Sequence, residues 1–193
     1  MVIAFAYPPL PSERGVPLLS QNRQFQWFSR PTYIFPVVPA TAATMAKKAG
    51  HDAVWLDGIA EEWTPEAFER RLADAKPDVV VVETKTPVVK RHWKWVEAFK
   101  STPAGAHAKV VLVGDHVTAL PDETMAACPV DYILTGGDWD FLVMNLVSSG
   151  FASASRRSNA SGVHSSAMPS SQTASCPAFF AIVAAVAGTT GKM

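Results

Sequence analysis

The stretch DVVVVETKTP, residues 78–87, decides the fold class of this chain. Its four consecutive valines form a short β-branched run that is typical of a buried strand, and polar residues and a proline follow at once. A strand that is apolar on both faces must be covered on both faces, as the central strands of parallel sheets are. The stretch therefore predicts a central parallel strand that leads into a loop and a helix.

Four further apolar runs of the same kind lie before and after this stretch, and each leads into a segment with helical features. Gly50 follows the first helical segment at the position after its C-cap, and Thr64 and Thr86 each precede a proline as N-cap candidates. The predicted strands are residues 2–6, 53–56, 78–82, 109–113 and 131–134, and the predicted helices are residues 38–49, 64–75, 86–100, 120–127 and 138–147.

This alternation of strands and helices predicts an α/β fold, with a doubly wound parallel sheet of five strands and helices on both faces. Among such folds the flavodoxin-like or Rossmann-like arrangement is the usual one for five strands. We therefore expect the strand order 2-1-3-4-5.

Charge and composition exclude several classes of partner. The 193 residues hold 17 Lys plus Arg and 17 Asp plus Glu, so the formal net charge is zero and we expect neither nucleic acid nor a membrane surface as partner. The longest late apolar stretch, residues 177–188, is shorter than the roughly 20 residues of a spanning helix. No export signal is evident at the start, and two cysteines cannot form a disulfide framework, so a cytoplasmic location is expected.

The composition changes near residue 148. Residues 148–193 contain no Asp, Glu, Trp or Tyr and are rich in Ser and Ala, so they cannot easily bury a core of their own. We interpret residues 1–147 as the folded domain and residues 148–193 as a low-complexity, disordered tail or linker. Two alternatives stay open: a non-native end, such as a frameshift, or a short amphipathic anchor at residues 179–186.

The connection after the first strand is unusually long. Ligands of open α/β sheets bind outside the carboxyl ends of the strands, so every connection at that edge is a candidate site. This one has roughly thirty residues, against the usual 2–6 of a strand-to-helix loop, and it mixes prolines, amides and aromatic rings. It suits a large, flat ligand that bears amides, or a partner domain, or it simply covers the edge of the sheet.

Three shorter connections place hydroxyls, glycines and a histidine at the same edge. Threonine hydroxyls can donate to the polar tail of a ligand, and glycines allow close approach of the backbone. A lone histidine is more often a structural hydrogen-bonding residue than a metal ligand, so we predict no metal ligand here. The candidates are Thr84 and Thr86 after the third strand, Gly114, Asp115, His116 and Thr118 after the fourth, and Gly136 and Gly137 after the fifth.

Four strings at these positions carry a resemblance to a known family. They are RGVPLLSQNRQFQWF at 14–28, ETKTPVVKRHW at 83–93, VGDHVTALPDE at 113–123 and DYILTGGD at 131–138. As a set they resemble the N-terminal cobalamin-binding domain of cobalamin-dependent radical SAM enzymes, over roughly residues 2–147. The resemblance implies a Rossmann-like α/β unit that holds the corrinoid, cobalamin, over the carboxyl ends of its strands, with the nucleotide tail running into the sheet.

The same resemblance implies positions for the cofactor. A Pro-Pro turn follows the first strand in the family, small polar residues and glycines lie beside the tail, and the loop after the fourth strand is of a glycine-x-histidine-x-threonine type. The matching positions here are Tyr7, Pro8 and Pro9, then Thr84 and Thr86, then Gly114, Asp115, His116 and Thr118, and then Gly136 and Gly137.

Two departures from the family patterns limit what the resemblance implies. The Asp-x-His-x-x-Gly motif that supplies a lower histidine ligand to cobalt is absent, so this chain is similar to members in which no protein histidine binds the metal. The Cys-x-x-x-Cys-x-x-Cys motif of the barrel that follows in full-length members is also absent, since only Cys128 and Cys176 occur. We therefore expect a truncated member that lacks the barrel with its [4Fe-4S] cluster and S-adenosylmethionine, and that has no catalytic residues of its own. A longer chain would supply the barrel as a partner.

Other α/β families fit less well. A phosphorelay receiver needs an aspartate after the third strand, where Glu83 and Thr84 stand, and a dinucleotide-binding domain needs G-x-G-x-x-G after the first strand, where Tyr7, Pro8 and Pro9 stand. The proline-rich loop likewise argues against the phosphate loop of a flavodoxin. The alternative that remains is a cofactor-free α/β interaction domain, a degenerate relative of the cobalamin-binding domain.

Overall fold

The computed structural model describes residues 1–19, 25–30, 36–136, 143, 155–156 and 181–184. Strands and helices alternate along most of this range, as the sequence predicts. The strands are β1 (Val2–Tyr7), β2 (Val16–Leu18), β3 (Gln26–Phe28), β4 (Asp52–Asp57), β5 (Val79–Glu83), β6 (Lys109–Val113), β7 (Tyr132–Thr135), β8 (Ser155–Arg156) and β9 (Ala181–Ala184). The helices are α1 (Val37–Lys48), α2 (Pro65–Asp74), α3 (Val89–Lys100), α4 (Pro103–His107), α5 (Asp115–Ala119) and α6 (Pro121–Ala127).

The central sheet has the predicted topology. Five strands pair in parallel in the order β4-β1-β5-β6-β7, which is the order 2-1-3-4-5 of the five predicted strands. Beyond β7, β9 adds antiparallel to it and β8 pairs with β9. The rest of residues 148–193 lies outside the described residues, as does the predicted last helix, 138–147, apart from the buried Val143.

Alternate residues of the strands face two separate hydrophobic layers, as the pleat of a strand requires. One face packs against α2 and α3 through Phe68, Leu72, Val96 and Phe99, all of which are buried. The other face packs against α1 through Ala42 and Ala46. Both faces of the parallel strands are thus covered, which explains why these strands are apolar almost throughout.

Two of the predicted helix ends are confirmed. After α1, the amide of Gly50 donates to the carbonyl of Lys47 and the amide of His51 donates to the carbonyl of Ala46, and Gly50 has a φ of +83°. These two bonds are those of the Schellman motif that ends a helix with glycine. Before α2, the Thr64 hydroxyl accepts the amide of Ala67 at 3.2 Å and acts as the N-cap.

The predicted N-cap at Thr86 is wrong. The helix begins at Val89, three residues later, and its N-cap residue Val88 makes no side-chain capping bond. A turn closed by the Val88 amide and the Lys85 carbonyl precedes the helix, and this turn takes the place of the first helical turn. The Thr86 side chain is thereby left at the carboxyl edge of the sheet.

Acidic residues at the amino ends of the strands hold the sheet together. Asp78 accepts the amide of Val2 at 2.7 Å, and Asp131 accepts the amide of Val110 at 2.8 Å. Lys100 and Lys109 both pair with Asp131. The charged groups of this edge therefore serve the fold, and the candidate site lies at the opposite edge.

The long connection after β1 runs from residue 8 to residue 36 and contains an antiparallel hairpin of β2 and β3, which the sequence did not predict. Leu10 and Leu19 are buried against Tyr7 and Val88 in a small hydrophobic cluster of their own. The described part of the connection thus packs on the carboxyl end of β1 and the start of α3. Its residues 20–24 and 31–35 lie outside the described residues.

The helices of the described ranges are all too short or too polar to cross a bilayer.

Candidate functional site

The carboxyl ends of the parallel strands bring most of the predicted site residues to one edge of the sheet. Tyr7 ends β1, and Thr84, Gly114 and Gly136 follow β5, β6 and β7 directly. The amide of Thr84 donates to the carbonyl of Val113 at 2.8 Å, which continues the pairing of β5 and β6 past the end of β5. The sequence prediction that these connections share an edge is therefore confirmed.

Four ionisable side chains form a continuous chain of contacts beneath this edge. The Tyr7 hydroxyl donates to Glu83 Oε2 at 2.5 Å, and Glu83 Oε1 lies 3.4 Å from Lys85 Nζ. Lys85 Nζ then donates to Asp115 Oδ2 at 2.7 Å. Tyr7, Glu83 and Lys85 are buried, whereas the Asp115 side chain is 71% exposed. The chain of contacts therefore runs from the interior to the surface, and we call it the Tyr7–Asp115 network.

Burial dominates the electrostatics of this network. Loss of solvent raises the pKa of Glu83 from 4.5 to about 7, although the Tyr7 hydrogen bond and the charge of Lys85 both favour the ionised carboxylate. Glu83 thus changes its charge near neutral pH, and the net charge of the network depends on that single proton.

Thr84 contacts a histidine inside the protein. The Thr84 hydroxyl lies 2.8 Å from His92 Nδ1, and both residues are fully buried. Burial, together with the neighbouring charge of Arg91, lowers the pKa of His92 to about 3, so the imidazole is neutral at physiological pH. His92 Nε2 has no hydrogen-bond partner in the described part of the chain. The Thr84 side chain is therefore directed towards α3 and supports the edge from within.

His116 is held in place by contacts with neighbouring elements. Its Nδ1 lies 3.3 Å from the Thr86 hydroxyl, its Nε2 lies 3.5 Å from Glu123 Oε2, and its ring meets Trp93 edge-on at 5.7 Å. The side chain is 6% exposed. These contacts join the connection after β6 to the connection after β5.

Thr118 links the ends of β6 and β7. Its hydroxyl donates to the carbonyl of Gly114 at 2.8 Å and accepts the amide of Gly136 at 3.0 Å. Gly114 and Gly136 have φ values of +111° and +128°, which side-chain-bearing residues rarely adopt. A Cβ on Gly114 would lie 2.4 Å from the carbonyl oxygen of Thr84. Only glycine therefore allows the connection after β6 to approach the end of β5 this closely.

The exposed part of the edge is smaller than the predicted set. Thr86, Asp115 and Thr118 are exposed and Gly136 is half-buried, and we call these four residues the rim. Pro9 is half-buried, whereas the other predicted residues at this edge are buried. Gly137 lies outside the described residues. The buried predicted residues are Tyr7, Pro8, Thr84, Gly114 and His116.

Glu83, Lys85 and His92 also contribute to the site, although they were not predicted from the sequence. A signal for the first two exists in the stretch that decides the fold, because Glu83 ends an all-valine strand and Lys85 follows two positions later. In an extended backbone, residues two apart point to the same side, so an acid and a base at this spacing can pair in a buried position. His92 carried no such signal, since its partner Thr84 is reached only through the packing of α3.

The described residues contain no group of three or more His, Cys, Asp and Glu side chains placed to hold a metal ion. His107 pairs with Asp78 at the amino edge, and His51 immediately precedes β4 at that same edge. Neither can reach the rim. His92 and His116, which lie near the rim, are held by Thr84 and by Thr86.

Comparison with known proteins assigns the family. A family model described as the B12 binding domain matches residues 31–140, a range that contains β4 to β7, the helices between them and all four residues of the rim. No curated protein sequence matches the chain. The family match covers more than half of the 193 residues. The fold, the strand order and this match together identify the chain as a member of the B12-binding domain family.

Proposed function

We propose that this domain binds cobalamin over the carboxyl edge of its sheet, with the rim against the cofactor. The observation that carries the proposal is the B12-binding family match, which spans the three connections that form the rim. Open α/β sheets bind ligands at this edge, so family and architecture point to the same place.

The chemistry of the rim fits an amide-bearing macrocycle. The Thr86 hydroxyl can donate or accept, whereas the Thr118 hydroxyl donates to Gly114 and can only accept from a ligand. The Asp115 carboxylate accepts, and Gly136 has no side chain to separate a ligand from the backbone. Primary amides need both donors and acceptors, and a rim with both kinds can satisfy them. Tyr7 and Thr84, whose hydroxyls are engaged inside the protein, support this surface from beneath.

The positions of the histidines support binding without a protein ligand to cobalt. Of the four described histidines, His92 and His116 are buried. The other two, His51 and His107, lie at the amino edge of the sheet. A histidine ligand would need a free ring nitrogen above the rim. We therefore propose that the domain holds the corrinoid through its periphery and its tail, and leaves the lower face of the metal without an imidazole from this chain.

The bound corrinoid would supply the reactive metal, and this chain supplies binding and orientation. We further propose that the domain serves a radical SAM barrel carried by a longer chain, because the four sequence strings resemble the cobalamin-binding domain of those enzymes. The rim residues would then hold the cofactor so that its upper face is open to that barrel.

The direct test is spectroscopic titration of the purified protein with hydroxocobalamin. We expect the protein to retain the pigment through gel filtration at a ratio near one per chain, and the absorption spectrum to change on binding. A protein that stays colourless would contradict the proposal and would favour the cofactor-free interaction domain.

Two substitutions of Gly136 distinguish the effect of side-chain volume at the rim from the effect of backbone strain. Both Gly136→Ala and Gly136→Leu force a side chain onto a φ of +128°, so both carry the same backbone cost. Leucine adds much more volume than alanine where we place the cofactor. We expect Gly136→Leu to bind hydroxocobalamin at least tenfold more weakly than Gly136→Ala, at similar thermal stability, and equal affinities would contradict this placement.

A further inference from the structure

We propose that Asp115 is a specificity residue that selects corrinoids whose peripheral side chains are amides rather than carboxylates. This inference rests on the proposed function, because it assigns to one rim residue a contact with the edge of the corrin ring. It is carried by the geometry of the Tyr7–Asp115 network, in which a surface carboxylate is fixed from below by buried groups.

The carboxylate of Asp115 is held by only one of its two oxygens. Oδ2 accepts from Lys85 Nζ at 2.7 Å, and Oδ1 accepts no hydrogen bond from the described part of the chain. With the side chain 71% exposed, Oδ1 is available to a ligand at the carboxyl edge. Asp115 therefore presents an acceptor whose position is already set before any ligand arrives.

The support beneath Asp115 is unusually rigid for a surface residue. The Lys85 side chain is 4% exposed and is held between Asp115 and Glu83, which the Tyr7 hydroxyl holds in turn. An exposed ion pair normally contributes little because both side chains must be ordered to form it. Here burial has already ordered the lysine, so little further entropy is lost when Asp115 is fixed.

The charge of this acceptor determines what it can bind. A carboxylate oxygen accepts strongly from the N–H groups of a primary amide, whereas it repels a second carboxylate. The corrin periphery carries primary amides, and hydrolysis of one amide to the acid changes a donor into an anion with almost no change in shape. The Lys85 ammonium is too deeply buried to receive that anion in place of Asp115.

The test compares cyanocobalamin with its b-, d- and e-monocarboxylic acid derivatives at pH 7.5. We expect the wild-type protein to bind at least one of the three acids about 10- to 100-fold more weakly than cyanocobalamin, as loss of a charge-assisted hydrogen bond predicts. In Asp115→Asn the discrimination should fall to within about threefold, because asparagine offers the acid an N–H donor and carries no charge.

Two further variants test whether the discrimination depends on the location of the carboxylate and on its support by Lys85. Asp74→Asn removes another exposed carboxylate, at the end of α2, which leads to the amino edge of the sheet, and it should keep the full discrimination. Lys85→Met keeps the Asp115 carboxylate but removes its support, so this positioning residue should lower the discrimination by less than Asp115→Asn does. Thermal denaturation of each variant reports on folding independently of the ratio.

The outcomes distinguish this inference from the proposed function. A protein that binds cyanocobalamin but binds all three acids with equal affinity refutes the role of Asp115 and leaves the proposed function intact. Unchanged discrimination in Asp115→Asn would likewise refute the role of Asp115 and leave the proposed function intact. If cyanocobalamin itself is not bound, both the proposed function and this inference are overturned.

Discussion

Replacement of Gly114 by alanine is expected to lower the free energy of unfolding by about 3 kcal/mol. Gly114 has a φ of +111° and a ψ of −175°, a region of backbone conformation that is essentially limited to glycine. In addition, a Cβ would lie 2.4 Å from the Thr84 carbonyl oxygen, which belongs to the backbone and cannot move without disturbing the pairing of β5 and β6. The measurement is equilibrium unfolding in urea.

Gly50→Ala is the matched control for Gly114→Ala. Gly50 also has a positive φ, +83°, but a Cβ there would meet nothing within 4 Å. It should therefore cost only the backbone strain of a non-glycine residue in the left-handed region, about 1 kcal/mol. If both variants lose the same stability, the close approach to Thr84 contributes nothing to the cost of Gly114→Ala. The backbone conformation alone would then explain why position 114 requires glycine.

The parallel sheet could be predicted because each of its signals is local. A run such as Val79–Val82 identifies a buried strand from four adjacent residues, and Thr64 and Gly50 identify helix ends from their immediate neighbours. The strand order followed from the usual preference among five-stranded sheets. None of these inferences required knowledge of which distant residues pack together.

The elements that escaped prediction depend on distant contacts. The hairpin of β2 and β3 contains Pro17, a residue that argues against a strand, and Gly15 lies so close to β3 that a Cβ would meet the Phe28 carbonyl oxygen at 2.0 Å. Five-residue helices such as α5 are too short to show a helical period. Thr86 was predicted as a cap from its proline alone, and the turn at Lys85–Val88 overrode that signal.

The candidate site likewise has a part that could be predicted from local sequence and a part that depends on distant contacts. Glycines and threonines at the ends of strands could be named from the sequence, because the topology places those ends at one edge. The buried support beneath them could not, since Tyr7 and Glu83 are 76 residues apart and Lys85 and Asp115 are 30 apart. A charged residue at the end of an apolar strand is the one local sign of such a support.

The stability of this protein is expected to fall as the pH rises through the neutral range, and Glu83 is the group responsible. Its pKa in the folded protein is about 7, against an ordinary value of 4.5, because burial penalises the charged carboxylate. Between these two values the folded chain holds a proton that the unfolded chain has released. The contribution of Glu83 to stability is therefore complete below about pH 4.5 and is lost as the pH rises from there through about 7. A shift of this size corresponds to about 3 kcal/mol.

Glu83→Gln isolates this contribution from those of all other titrating groups. Glutamine is neutral at every pH and can still accept from the Tyr7 hydroxyl, so the variant should resemble the wild type near pH 5 and exceed it by up to about 3 kcal/mol at pH 8. Urea denaturation of both proteins at the two pH values measures the difference directly. A difference that does not change with pH would show that Glu83 is ionised in the folded protein throughout this range.

Tyr7→Phe tests the same network from the other side. The Tyr7 hydroxyl donates to Glu83 and so favours the ionised carboxylate, and its removal should raise the pKa of Glu83 further. The pH at which stability is lost should then move upward in Tyr7→Phe, whereas Glu83→Gln should show no such transition. A transition that moves upward in Tyr7→Phe and is absent from Glu83→Gln cannot arise from a general loss of packing. It would identify the proton on Glu83 as the variable that sets the charge beneath the rim.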